Sequence, residues 1–94
     1  MRENPVCHLF GIRYPIVQGG MLGVSCPELA SAISNAGGLG MLSGAKAVNE
    51  MRAEIRQTAE LTDKPFGVNL PLHAVKDRAV EIAELLAEEG VKVV

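Results

Sequence analysis

The chain has 94 residues, a formal net charge of −2, 48% hydrophobic and 21% charged residues, which fits a soluble globular domain and gives no electrostatic case for binding nucleic acid. No run of about 18 apolar residues is present to cross a membrane, and the N-terminal MRENPVCHLFGIRYP lacks a signal peptide's long apolar core and cleavage site, so cytoplasmic residence is expected. Cys7 and Cys26 have no CxxC spacing and are too few for a disulfide framework, so two reduced thiols and no metal site are expected.

Residues 1–14 read as a lead-in to the first repeating unit. Ile16 and Val17 follow Pro15, whose fixed φ suits the first position of a strand, and predict a short strand over 15–18. Gly19 and Gly20 then lack Cβ atoms, which permits positive φ and close approach of a ligand to the main chain. Ser25 and Glu28 stand in the S-x-x-E relation of a capping box, with Pro27 at an early helical position. Leu29, Ala32, Ile33 and Ala36 recur at helical spacing, and Gly37 and Gly38 mark the stop. A second strand is expected over 39–42. The segment 47–61 places Val48, Met51, Ile55 and Thr58 or Ala59 on one face of an amphipathic helix. Phe66 to Leu70 reads as a third strand ended by Pro71. A helix over 75–89 carries an apolar stripe of Val75, Ala79, Ile82, Ala83 and Leu86, with Gly90 as its stop, and Val91 to Val94 begins a fourth strand.

The strand segments start at Pro15, Leu39, Pro65 and Val91, which are 24, 26 and 26 positions apart, as repeated strand–helix units require. Strands alternating with helices imply an α/β fold with a parallel sheet, either doubly wound or part of a (βα)8 barrel. Periodicity does not choose between them. A barrel needs roughly 200 residues or more, so residues 1–94 would form a single partial domain: a lead-in plugging the barrel's bottom and a half barrel over 15–94. Such a half would have three βα units and a fourth strand, and ending on that strand predicts truncation. Its open edge predicts association with further chain or self-association into a homo-oligomer.

The segments YPIVQGGM, PELASAISNAGGLGMLSG, LTDKPFGVNLPL and EEGVKVV, in this order and spacing, resemble the N-terminal part of the nitronate monooxygenase (2-nitropropane dioxygenase) family. That family includes the FMN-dependent enoyl-acyl carrier protein reductases. The resemblance covers nearly the whole chain from Leu9 onward. It implies a TIM (βα)8 barrel of which this chain is the N-terminal half, holding FMN.

By the same resemblance, Gln18, Gly19, Gly20 and Met21 match the loop that lies against the flavin ring system, and Asn69 matches the asparagine of the family's F-G-V-N motif. An asparagine amide both donates and accepts, as the edge of a flavin ring requires. Ser43 and Gly44 end the second strand on the same rim, with no firm role. The family's catalytic histidine and phosphate contacts fall in later strands, so no residue here is assigned as catalytic. His73 follows the third strand but does not match the catalytic position, and it reads as a solvated loop residue. His8 reads as structural. The bland readings are that Gly19-Gly20 only make a turn, that Asn69 satisfies backbone groups, and that Met21 is core filler. No G-x-G-x-x-G opens the first helix, so a dinucleotide fold has little support.

Two reactions on small-molecule substrates follow from the resemblance. One is oxidation of an alkyl nitronate by dioxygen. The other is reduction of an enoyl thioester with NAD(P)H as reductant of the flavin, toward which the QGGM and LTDKPFGVN variants lean. The family name favours the first. A reading from a different class is a non-catalytic half-barrel that self-associates.

Overall fold

A computed structural model describes residues 4–94, so the first three residues of the expected lead-in lie outside it. The elements are α1 (Pro5–Phe10), α2 (Pro27–Asn35), β1 (Gly40–Ser43), α3 (Val48–Leu61), β2 (Phe66–Asn69), α4 (Leu72–Val75), a 3-10 turn (Lys76–Arg78) and α5 (Ala79–Glu88). The lead-in is therefore not structureless. Asn4 caps α1 by accepting the Val6 N–H at 2.9 Å, and Gly11 ends it at φ 69°, the left-handed conformation that glycine adopts without penalty.

Strands β1 and β2 pair in parallel, with Gly40 opposite Phe66 and Ser43 opposite Asn69, and α3 carries the chain between them. The outer expected strands are shorter than their sequences suggested. Residues 15–18 contribute one parallel bridge, Val17 to Leu39. The Ile16 N–H turns back on the Tyr14 carbonyl at 2.8 Å, so Pro15 sits at the centre of a γ-turn rather than in a ladder. At the other edge, Val93 bridges Gly67 and its carbonyl accepts the Val68 N–H at 3.1 Å. The sheet proper has two strands where four were expected, with one bridged segment on each side.

Alternation along the strands separates two apolar clusters. Leu42 and Val68 face the helices and pack with Ala30, Met51, Ile55, Val75, Ile82, Leu85 and Leu86. Leu39 and Met41 pack with Ile12 and with half-buried Cys7, Phe10 and Val93. The lead-in thus covers part of the second sheet face.

The helices differ in detail from the periodicity. On α2 the buried residues are Pro27, Ala30, Ser31 and Ser34, while Ala32 and Ala36 of the expected stripe are exposed. Small side chains let β1 lie directly on the helix: a Cβ on Gly40 would stand 2.0 Å from the Ala30 carbonyl oxygen. The expected helix over 75–89 is broken into α4, the 3-10 turn and α5. Of the expected stripe Val75, Ile82 and Leu86 are buried, Ala79 is half-buried and Ala83 is exposed, while Leu85, three residues on from Ile82 and so on the same face of α5, is buried too.

Ion pairs join α3 to the C-terminal end of α5. Glu89 accepts from Arg56 Nε at 2.9 Å and from Arg52 Nη1 at 3.0 Å, and Arg52 Nη2 reaches Glu88 at 3.3 Å. The hydrogen bond from Arg56 holds the Glu89 carboxyl below its ordinary value; desolvation opposes it, and the charges of both guanidiniums and the Arg52 hydrogen bond add smaller lowering effects.

Candidate functional site at the C-terminal rim of the sheet

The expected site residues come from two distant stretches, and the parallel sheet brings them to one edge. Gln18 ends the bridged first segment, with its N–H on the Leu39 carbonyl at 3.0 Å. The chain continues through Gly19 and Gly20 into a tight turn in which the Met21 carbonyl accepts both the Val24 and Ser25 N–H groups, at 3.0 and 2.8 Å. Asn69 ends β2 opposite Ser43, and its carbonyl accepts the Gly44 N–H at 2.7 Å. Gly20 lies against the Asn69 side chain: a Cβ built on Gly20 would stand 2.4 Å from Asn69 Cβ and 2.8 Å from Cγ and Nδ2. Gln18, Gly19, Gly20, Asn69, Ser43 and Gly44 therefore converge on the end of the sheet where β1 and β2 finish.

The positive φ that the sequence allowed at the two glycines is not used. Neither Gly19 nor Gly20 has positive φ; the residue that does is Gly23, at 82°, inside the turn. Gly20 is required by space, because no side chain fits between it and Asn69. Gly19 faces open space, with nothing within 4 Å of a Cβ.

Gln18 is turned inward rather than out. Its Oε1 accepts the Met41 N–H at 2.9 Å and its Nε2 donates to Ser25 Oγ at 3.3 Å. Ser25 departs from the expected capping box as well. Cys26 is the N-cap residue of α2, and its side chain makes no capping hydrogen bond. The Ser25 hydroxyl instead accepts the Met21 N–H at 2.7 Å, so the Met21 backbone donor is already satisfied while its side chain is exposed. Sequence reasoning missed Ser25 as a rim residue because S-x-x-E suits a helix cap equally well.

Among the described residues no hydrogen bond engages the Asn69 carboxamide or the N–H groups of Gly19 and Gly20. An exposed amide that can donate and accept, beside two unused backbone donors, fits the polar edge of a planar heteroaromatic ring such as a flavin's. His73 lies on α4, exposed, and His8 lies on α1 at the other end of the sheet. That other end holds an open groove of about 720 Å³ lined by His8, Phe10, Lys64, Phe66 and Lys92, away from Gly20 and Asn69.

The nitronate monooxygenase family model matches residues 3–93. A nitronate monooxygenase of Pseudomonas aeruginosa is 56% identical over 66 residues, covering 69% of this chain and 19% of its own length. The Mycobacterium tuberculosis "(3aS,4S,5R,7aS)-5-hydroxy-7a-methyl-1-oxo-octahydro-1H-indene-4-carboxyl-CoA dehydrogenase" is 44% identical over 92 residues, covering 97% of this chain and 25% of its own length. The solved structure of FabK from Thermotoga maritima superposes with a TM-score of 0.88 at 40% identity, over 97% of this chain and 29% of that one. This chain thus spans about a quarter of the length of the relatives it matches. Its α/β fold is like the corresponding part of FabK, and its relatives' names are those of oxidoreductases. With a family model covering nearly all its residues, the chain belongs to the nitronate monooxygenase family.

Proposed function

We propose that the complete protein is an FMN-dependent oxidoreductase that oxidises alkyl nitronates with dioxygen, and that this chain supplies part of the flavin site as the N-terminal half of a (βα)8 barrel. In this reading β1 and β2, with the bridged segments around Val17 and Val93, are the first four barrel strands. The observation that carries the site is the contact of Gly20 with Asn69 at the strands' C-terminal ends, where barrel enzymes place their chemistry. The Pseudomonas aeruginosa relative supports the choice of reaction.

Bound FMN supplies the electron transfer between nitronate and dioxygen. The chain's own residues have the simpler tasks of holding and orienting. Asn69 offers the ring edge a donor and an acceptor from one rigid strand end, and the Gly19 and Gly20 N–H groups offer donors from a backbone without side chains. Met21 presents an exposed apolar side chain next to them. Gln18, whose amide is satisfied internally, acts by placing the loop.

The second reading is reduction of an enoyl thioester by NAD(P)H, which the FabK superposition and the CoA-ester dehydrogenase relative support. Purified complete polypeptide is expected to release FMN on denaturation and to consume dioxygen when given an alkyl nitronate, with a carbonyl compound and nitrite as products. NAD(P)H oxidation dependent on an enoyl thioester, without nitronate-dependent oxygen uptake, would move the assignment to the reductase. Asn69→Ala is expected to weaken FMN retention by about tenfold, the effect of losing one to two hydrogen bonds. Unchanged retention would remove Asn69 from the site.

A further inference from the structure

Ser25 is 2% exposed, yet it belongs to no helix cap. Its hydroxyl uses every hydrogen-bonding position it has. It accepts from the Met21 N–H at 2.7 Å and from Gln18 Nε2 at 3.3 Å, and it donates to the Gly19 carbonyl at 3.5 Å. Gln18 extends the network to β1 through Oε1, which accepts the Met41 N–H at 2.9 Å. One hydroxyl therefore closes a ring around residues 18–25, and one amide bolts that ring to the sheet. Gly20 lies inside this ring, and it is the residue pressed against Asn69.

We propose that Ser25 is a positioning residue for the cofactor, holding the Gly19–Met21 backbone and, through Gly20, the Asn69 carboxamide in their binding arrangement; this rests on the flavin reading of the rim. Two features separate the role from ordinary structural support. Removing the hydroxyl uncaps nothing, because the first turn of α2 takes no hydrogen bond from a side chain at its N-cap. The Val24 and Ser25 N–H bonds to the Met21 carbonyl also survive, so the turn persists and the loosened part is the Gln18–Met21 arm that meets Asn69.

The test uses the complete polypeptide stripped of flavin, titrated with FMN and followed by flavin fluorescence, with amide exchange read at Met21. Ser25→Ala is expected to raise the FMN dissociation constant about tenfold, equivalent to about 1.4 kcal/mol, and to speed exchange at Met21. Ser25→Thr, which keeps the hydroxyl, should restore both values to near wild type. Gln18→Met, which removes the amide but keeps the length, should shift the dissociation constant in the same direction as Ser25→Ala. An unchanged dissociation constant in Ser25→Ala, accompanied only by a lower thermal midpoint, overturns the proposal. Should Ser25→Ala fail to fold, an unchanged constant in folded Gln18→Met overturns it equally. Failure of the wild-type apoprotein to bind FMN sinks the flavin reading first, which keeps the two failures distinct.

Discussion

Replacing Gly20 with alanine tests whether the rim is built on close backbone approach. The added methyl carbon would lie 2.4 Å from Asn69 Cβ, whereas non-bonded carbons rest at about 3.5–4.0 Å. Side-chain rotation does not relieve this contact, because Asn69 Cβ is fixed by the β2 backbone and only Cγ and Nδ2, each 2.8 Å away, can swing aside. That end of β2 is itself pinned by the Gly44 N–H on the Asn69 carbonyl at 2.7 Å. The Gly19–Met21 arm must therefore move, by about 1 Å if the carbons are to reach van der Waals separation. The expected cost is about 1–3 kcal/mol, the usual range for an overpacked site. Gly19→Ala is the internal control, since it meets nothing within 4 Å and requires no positive φ. It should be neutral, or stabilising by up to about 1 kcal/mol through a less flexible unfolded chain. Urea unfolding of the complete polypeptide measures the stability difference, and FMN titration measures its consequence at the rim. Equal unfolding midpoints and equal FMN affinities for the two variants would refute the close-packing argument.

Three further outcomes are expected. Gly40→Ala should be more damaging than Gly20→Ala, costing about 3 kcal/mol or more in all, because its Cβ would sit 2.0 Å from the Ala30 carbonyl oxygen, a main-chain atom that cannot swing aside; an unchanged urea midpoint would contradict the contact of β1 with α2. Leu42→Ala, at a position 2% exposed among the helix-facing cluster, should cost about 2–5 kcal/mol in the same assay, and a loss below 1 kcal/mol, on the order of a surface substitution, would deny that Leu42 is core. For pH, the Glu89 carboxyl is held low chiefly by the Arg56 hydrogen bond, so its contribution is present above the unfolded pKa and lost as pH falls through the lower folded one. Wild type should thus lose stability on acidification more steeply than Glu89→Gln across the acidic carboxylate range, and parallel stability curves would show that the Arg56–Glu89 pair carries no linkage.

The candidate site was legible in the sequence through two different signals. Gly19 and Gly20 stood out for their missing Cβ atoms and Asn69 through the family's F-G-V-N motif, and the Val17–Leu39 bridge with the pairing of β1 and β2 brings the two stretches together. Ser25 was misread because local pattern fits a cap and a loop bolt alike, and only the position of Met21 and Gln18 distinguishes them. The purpose of Gly20 was equally hidden, since a missing Cβ permits both positive φ and close packing, and a residue 49 positions away decides between them.

Local chemistry determined the alternation of elements: amphipathic spacing produced α3, glycine stops ended α2 and α5, and β-prone runs before turns produced β1 and β2. Those features depend on neighbours within a few residues, which the sequence displays directly. Tertiary packing decided the rest. The shortened outer strands depend on what pairs beside them, the buried face of α2 depends on how closely Gly40 approaches, and the burial of Leu85 rather than Ala83 depends on what packs against α5. Each is set by contacts between residues far apart in the chain, whose distances no local pattern contains.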